Sequence, residues 1–250
     1  MLEINEIFGP TIQGEGKKVG TPSVFIRFGK CNMQCAGFEV EYETPSGTKK
    51  CSCDSFYASD IAFRDFWSKY TNHKDLLKEV EKYLPNYKVD IVITGGEPLL
   101  YWDDLEFQKL LEYYILNDYN LTIETNGSLD IDFKYDWQKK ILFSISVKLS
   151  NSKEPLKKRV NNKTLKAIIN FTDQAYFKFV VDKEFLPLAS KEIKDILSSL
   201  PACEVYIMPL GDTAKIIDKN SLDVIKFALE NGYKYSDRLH IRVWDNKRGV

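Results

Sequence analysis

The chain has 250 residues, 44 % of them hydrophobic, with 35 basic against 36 acidic side chains. That is enough apolar material for one sizeable core, so a single domain over residues 1–250 is expected, and the near-cancelling charge excludes the broad positive field that gathers nucleic acid or an anionic membrane. No apolar run approaches the roughly 18 residues of a membrane helix, and "MLEINEIFGP" carries acid where a secretory leader needs base, so a cytoplasmic protein acting on a small molecule is expected.

In chain order, the first core strand is "SVFIRF", ending just before Cys31. Cys35, Cys51 and Cys53 follow, and between them "FEVEYE" alternates while "TPSG" supplies a turn, which together predict a hairpin-like excursion that returns the chain to the first cysteines. Helical period then appears in "HKDLLKEVEKYL", followed by the strand "VDIVIT" and its "TGGEP" turn. The helix "DDLEFQKLLEYYIL" leads to the strand "NLTIET" and the turn "ETNG", and the strand "ILFSIS" runs into "SVK". A weaker helix over "EPLKKRVNNKTLKAIIN" precedes "AYFKFVV", and "EFLPLASKEIKDILSSL" precedes "EVYIMP" and its "MPLGD" exit. The last helix, "SLDVIKFALENGYK", is closed by Gly232.

Strands alternating with helices in six β/α units imply an α/β protein with a parallel sheet and right-handed crossovers, either doubly wound or curled into a full or partial barrel. In either case ligands sit at the carboxyl ends of the strands, which puts Cys31, "TGGEP", "ETNG", "SVK" and "MPLGD" on one rim. Gly95 and Gly96 would let a backbone approach a ligand closely, although a glycine-rich strand-to-helix turn is also common in α/β proteins of any function.

Five cysteines is an odd count, and in a reducing compartment clustered thiolates are more often metal ligands or catalysts than disulfides. Zinc would favour paired CxxC or Cys/His spacing, and neither His73 nor His240 stands near the cluster in sequence. A [4Fe–4S] cluster tolerates varied spacing, and three protein thiolates would leave one iron open.

Three cysteines after the first strand with "GGEP" after the second resemble the radical S-adenosylmethionine superfamily. "EIFGPTIQGEGKKVGTPSVFIRF", followed in order by "CDS", "TGGEP", "ETNG", "SVK", "KFVV" and a late "RLH", resembles the 7-carboxy-7-deazaguanine synthase family over nearly the whole chain. The resemblance implies a partial (β/α)6 barrel with the hairpin inserted in the cluster-binding loop. It implies reductive cleavage of S-adenosylmethionine and ring contraction of 6-carboxy-5,6,7,8-tetrahydropterin to 7-carboxy-7-deazaguanine with loss of ammonia, a step toward queuosine and other deazapurines. Cys31, Cys35 and Cys53 would hold the cluster. Gly95, Gly96, Glu97, Glu124, Ser146, Lys148, Met208, Pro209, Leu210 and Gly211 would surround S-adenosylmethionine. Ile12, Gln13, Gly14, Glu15, Arg27, Thr94, His240 and the terminal Val250 would meet the carboxypterin, and Ser55 would give an oxygen to Mg2+. An electron donor such as flavodoxin and a homodimer are implied as partners.

The chain departs from the usual pattern. The superfamily spaces its ligands CxxxCxxC, whereas Phe38 stands at the third position here, so the third ligand must come from beyond the insertion. Cys53 is expected because Asp54 follows it, as an Asp follows the last ligand in the family, with Cys51 as the spare; an extended segment is expected to point their two sulfurs to opposite faces, so that only one faces the cluster. Ser52 replaces an aromatic residue and Val147 stands where proline is common; Cys203, before an apolar strand, reads as a structural thiol. Two other classes remain: a zinc-stabilised binding module would use all four clustered cysteines, and a radical activase of a partner protein would have no use for Gln13, Glu15 and Arg27 together.

Overall fold

The structure is a computed structural model that describes residues 1–172 and 174–250. It opens with β1 (Leu2–Ile12) and β2 (Pro22–Phe28), then the small hairpin of β3 (Val40–Glu43) and β4 (Lys49–Ser52), the short helix α1 (Phe56–Ser59) and β5 (Ser68–Tyr70). Helix α2 (His73–Glu81) leads to β6 (Asp90–Gly95), and α3 (Leu105–Leu116) leads to β7 (Leu121–Thr125) and β8 (Leu142–Ile145). The remainder is α4 (Leu156–Arg159), α5 (Asn162–Phe171), β9 (Ala175–Val181), α6 (Leu186–Leu197), β10 (Glu204–Pro209), α7 (Ala214–Glu230), β11 (Lys234–Tyr235) and α8 (Leu239–Trp244).

Nine strands form one open sheet in the order β11-β10-β9-β8-β7-β6-β2-β1-β5. From β2 to β11 every pairing is parallel, while β1 is antiparallel to both β2 and β5. The six strands expected from the apolar runs are the contiguous centre, β2 to β10. Their strand-by-strand alternation divides the sheet into two unlike faces, because successive side chains point to opposite sides. Ile26, Ile93, Ile123, Phe143, Phe177 and Ile207 belong to the core that the helices cover, joined there by Leu76, Leu110, Leu165, Ile193 and Val224. The residues next to them in sequence, Arg27, Thr94, Glu124, Lys178 and Met208, face a cavity instead. All the long helices therefore pack on one side, and the opposite face is free to carry polar side chains.

Four details differ from the sequence reading. Strand β1 was not expected; its pairing with β2 is interrupted between Ile4 and Glu6 and between Phe8 and Thr11, which hides the alternation that identifies a strand. The crossover from β7 to β8 has no α-helix, only a 3-10 turn over Asp136–Lys140, so one of the six β/α units lacks its helix. The helix expected over residues 154–170 is two helices, broken at Val160, because Asn161 caps α5 by accepting a hydrogen bond from the Thr164 amide at 3.2 Å. Helix α7 starts at Ala214, ahead of Ser221, and Gly232 follows its end at φ +69°, where glycine is unstrained. Among the described residues no helix is long and apolar enough to cross a membrane.

Candidate active site

The polar face of the sheet, the loops after β2, β6, β7, β8 and β10, and residues 245–250 enclose a cavity of about 780 Å³. Cys31, Cys35 and Cys53 line it, and Cys51 does not. The three lining thiols are half-buried or buried, whereas Cys51 is exposed on β4 opposite Glu41. Alternation along a strand cannot separate residues two apart, which share a face. What separates these two is the end of β4 at Ser52: Cys53 lies beyond it, in a turn closed by the Phe56 amide donating to the Cys53 carbonyl at 3.2 Å. The Ser52 hydroxyl donates to the Gln34 carbonyl and pins this return of the hairpin beside Cys35. Cys35 itself has φ +51°, and its amide and that of Gln34 both donate to Glu154 Oε1, at 3.1 and 2.6 Å.

Burial raises all three thiols. The Cys35 thiol is pushed up to about 12 by desolvation, with Lys148 opposing and Cys53 adding to the rise. Cys31 is raised further, by burial and then by Glu97, Cys53 and Cys35, and Cys53 is raised by burial and Asp54. The thiols are thus near enough to repel one another as thiolates, a state that a cationic iron centre would favour. Among the described residues no three His, Cys, Asp or Glu side chains are arranged around a single metal ion.

The glycines of "TGGEP" are required by the chain itself. A Cβ on Gly95, at φ +133°, would meet the Phe28 carbonyl oxygen at 2.1 Å, and one on Gly96 would meet that of Lys30 at 2.0 Å. The close approach lets the Gly96 and Glu97 amides donate to Phe28 and Lys30, at 3.0 and 2.8 Å, and locks this turn to the segment entering Cys31. Glu97 is fully buried and turned from the cavity. It accepts from the Leu99 amide at 3.0 Å, Thr125 Oγ1 at 2.7 Å and the Asn126 amide at 2.7 Å, so its side chain ties "GGEP" to "ETNG" and only its backbone remains for a ligand. Asn126 Nδ2 donates to Asn32 Oδ1 at 2.9 Å and so ties "ETNG" to the loop that carries Cys31.

Below the thiols, Gln13–Gly16 folds under the polar sheet face. A Cβ on Gly14 would lie 2.0 Å from His240 Nδ1, and one on Gly16 would lie 2.2 Å from the Tyr176 hydroxyl, so both glycines admit bulky neighbours. Gln13 Nε2 donates to Glu124 Oε1 at 3.2 Å while Thr94 Oγ1 donates to Glu124 Oε2 at 2.8 Å. Glu15 accepts from Lys178 Nζ at 2.5 Å and Arg238 Nε at 2.9 Å. Burial alone would raise the Glu15 carboxyl, but Lys178 and Arg238 together hold it well below the usual carboxylate range. His240 Nε2 is 3.9 Å from Glu15 Oε1, and burial lowers its imidazole, leaving it neutral at pH 7.

Arg27 donates from Nε to Glu6 Oε1 at 2.7 Å and from NH1 to Ser55 Oγ at 3.4 Å, with its guanidinium 5.5 Å from the Phe8 ring and 5.7 Å from that of Tyr57. Ser55 Oγ also donates to Asp54 Oδ1 at 3.2 Å. On the far wall Lys148 Nζ donates to Ser146 Oγ at 3.0 Å and lies 5.7 Å from the Phe38 ring. Ile12, Met208, Leu210, Gly211 and Val250 also line the cavity, whereas Pro209 does not. Arg248 and Tyr57 line it too, with the Arg248 guanidinium 3.8 Å from the Tyr57 ring centre. Cys203 lies apart, its thiol donating to the Ala175 carbonyl at 3.2 Å.

Glu6, Lys178 and Arg238 were not anticipated. Lys178 had a visible signal, a lone cation between Phe177 and Phe179 in "AYFKFVV", on the parity of the cavity face; Arg238 stood in "RLH" without an assigned role.

No protein-family model matches the chain. Among solved structures it resembles QueE from Escherichia coli, with a TM-score of 0.65 and 20 % identity over 96 % of this chain and 94 % of that one. Streptococcus suis SuiB bound to its precursor peptide shares the fold more distantly, at a TM-score of 0.52 and 14 % identity over 86 % of this chain and 48 % of that one. The 7-carboxy-7-deazaguanine synthase of Rhodopirellula baltica is 30 % identical over 100 % of this chain and 89 % of its own length. With that of Halobacterium salinarum 31 % identical over 98 % of this chain and 91 % of its own, the chain belongs to the 7-carboxy-7-deazaguanine synthase family.

Proposed function

We propose that this chain converts 6-carboxy-5,6,7,8-tetrahydropterin into 7-carboxy-7-deazaguanine with loss of ammonia. The observation that carries the reading is one cavity in which three uncrosslinked thiols face a floor of Gln13, Glu15 and Arg27. The thiols fit a [4Fe–4S] cluster in kind: all three are uncrosslinked and line one cavity, and the rim after β6 is held against the segment entering Cys31 by its own backbone. A zinc module built on four cysteines would need Cys51, which faces solvent. One-sided helices, an open sheet and a cavity on its other face support a partial (β/α)6 barrel, with the β3–β4 hairpin as the insertion in the cluster-binding loop.

Cys31, Cys35 and Cys53 would hold the cluster, with the Gly95–Glu97 backbone, Ser146, Lys148, Glu124 and the Met208–Gly211 segment around S-adenosylmethionine. Together the two groups supply, when bound, the radical chemistry that starts the ring contraction. The protein's own part is placement and exclusion of water. Glu15, kept ionised by Lys178 and Arg238, accepts from the donor edge of the pterin, Gln13 offers both donor and acceptor, and the NH1–NH2 edge of Arg27 takes the carboxylate. Neutral His240 stands beside Glu15, and Val250 lines the same cavity. We further propose a one-electron donor such as flavodoxin, and a homodimer, as partners.

The deciding experiment is anaerobic incubation of reconstituted, reduced protein with S-adenosylmethionine and the carboxypterin, read by product mass. Formation of 7-carboxy-7-deazaguanine is expected; intact pterin with a fully loaded cluster would reject the assignment.

Magnesium chemistry fits the Asp54–Ser55 segment in kind, since both side chains present hard oxygens and the ion commonly takes few protein ligands beside substrate. Replacing Ser55 by alanine should raise the magnesium requirement about tenfold and leave S-adenosylmethionine affinity nearly intact. Magnesium titration of turnover, with calorimetry for the cofactor, checks this; an unchanged magnesium response would move the ion away from Ser55.

A further inference from the structure

Arg238 sits at the start of α8 and is 9 % exposed, yet each of its three nitrogens is committed to a different segment. Nε donates to Glu15 Oε1 at 2.9 Å, NH2 donates to Asp54 Oδ2 at 2.6 Å, and NH1 donates to the Gly211 carbonyl. Those three acceptors lie on the loop before β2, on the segment after β4 that also bears Cys53 and Ser55, and on the loop after β10. We infer that Arg238 is a positioning residue for the proposed reaction, which holds the Glu15 carboxylate at one orientation toward the pterin and registers it against the Asp54–Ser55 and Gly211 segments. The inference rests on the proposed reading of Glu15 as the acceptor of the pterin's donor edge.

A planar guanidinium suits this task because its donors diverge in one rigid plane, and a lysine ammonium could not serve three acceptors in fixed mutual geometry. Lys178 holds Glu15 Oε2 from β9, so the two carboxylate oxygens are fixed by two separate cations. The amide of Glu15 donates to Gln13 Oε1 at 3.1 Å, and Gln13 continues to Glu124, so the orientation set at Arg238 extends along the floor. Glu15, largely buried, and the half-exposed Asp54 are like charges, and Arg238 bonded to both offsets their repulsion. With Arg238 gone, Lys178 draws Glu15 by Oε2 alone, and the carboxylate loses the second contact that fixes its plane.

The test compares the carboxypterin with its analogue lacking the 2-amino group, as a ratio of kcat/KM and as a ratio of calorimetric Kd on reconstituted enzyme with S-adenosylmethionine. A site built to hydrogen-bond that edge should favour the natural substrate by about 100-fold, and Arg238→Gln should reduce the preference to about tenfold or less. Arg238→Lys should fall between the two and supplies the comparison should the glutamine variant not fold. A merely structural Arg238 would slow both substrates equally and leave both ratios at the wild-type value, and that result overturns the inference. Glu15→Gln is the separating arm. If it removes the preference while the Arg238 variants keep it, the inference falls and the reading of Glu15 stands; if Glu15→Gln itself keeps the preference, the reading of Glu15 falls and the positioning role with it.

Discussion

Serine in place of Cys31, Cys35 or Cys53, one at a time, should leave protein that cannot retain a full complement of iron and whose turnover drops by about 1,000-fold or more. Cys51→Ser should keep its iron and its rate within about twofold, as an exposed side chain outside the cavity should. The contrast follows from where β4 stops. Cys51 pairs with Glu41 in the hairpin and stays exposed, while the turn after Ser52 carries Cys53 inward to within electrostatic reach of Cys31 and Cys35. Iron and sulfide analysis, with the visible spectrum of anaerobically reconstituted protein, reads the result without any turnover. Retention of the full cluster in Cys53→Ser with its loss in Cys51→Ser would reverse the ligand assignment.

The parts of this site that could be read in the sequence are those in which neighbours in the chain are neighbours in function. The six central strands are apolar on one face and enclosed on the other, so even Lys178 and Glu124 leave their runs recognisable as "AYFKFVV" and "NLTIET". Cys31 and Cys35 bracket a single loop. Gln13 to Gly16 was visible as a motif, but the need for its glycines lay in His240 and Tyr176, far along the chain. The same distance hid Arg238 and Lys178 as partners of Glu15, since an ion pair leaves no local periodicity. Glu97 illustrates the converse: a carboxylate inside a glycine-rich turn suggests a ligand contact, yet three buried donors consume it. Strand β1 was hidden by its two irregularities rather than by distance.

Arg27→Ala should keep the cluster, bind S-adenosylmethionine and cleave it slowly, and lose ring contraction. The structure explains why the loss should be large. Glu6 fixes Nε at 2.7 Å, and Phe8 and Tyr57 flank the guanidinium with their rings. The opposite NH1–NH2 edge therefore faces the cavity in a set orientation, with Ser55 Oγ at 3.4 Å from NH1. A guanidinium held this way is preorganised to take a carboxylate through two parallel hydrogen bonds. Removing one partner of such a buried pair costs about 3–5 kcal/mol by leaving the other charge uncompensated, which corresponds to about 150- to 5,000-fold in kcat/KM. Lysine at position 27 should recover little, because a point charge cannot form the fork. Wild-type enzyme should correspondingly reject the decarboxylated pterin, whereas Glu15→Gln should still prefer the carboxylated substrate and fail instead at the ring's donor edge. The pair of substrates and the three variants, compared by kcat/KM and by cofactor cleavage without product, separate these outcomes. Equal turnover of the pterin with and without its carboxylate, or full activity in Arg27→Ala, would remove the carboxylate from the recognition assigned to this cavity while leaving the cluster chemistry standing.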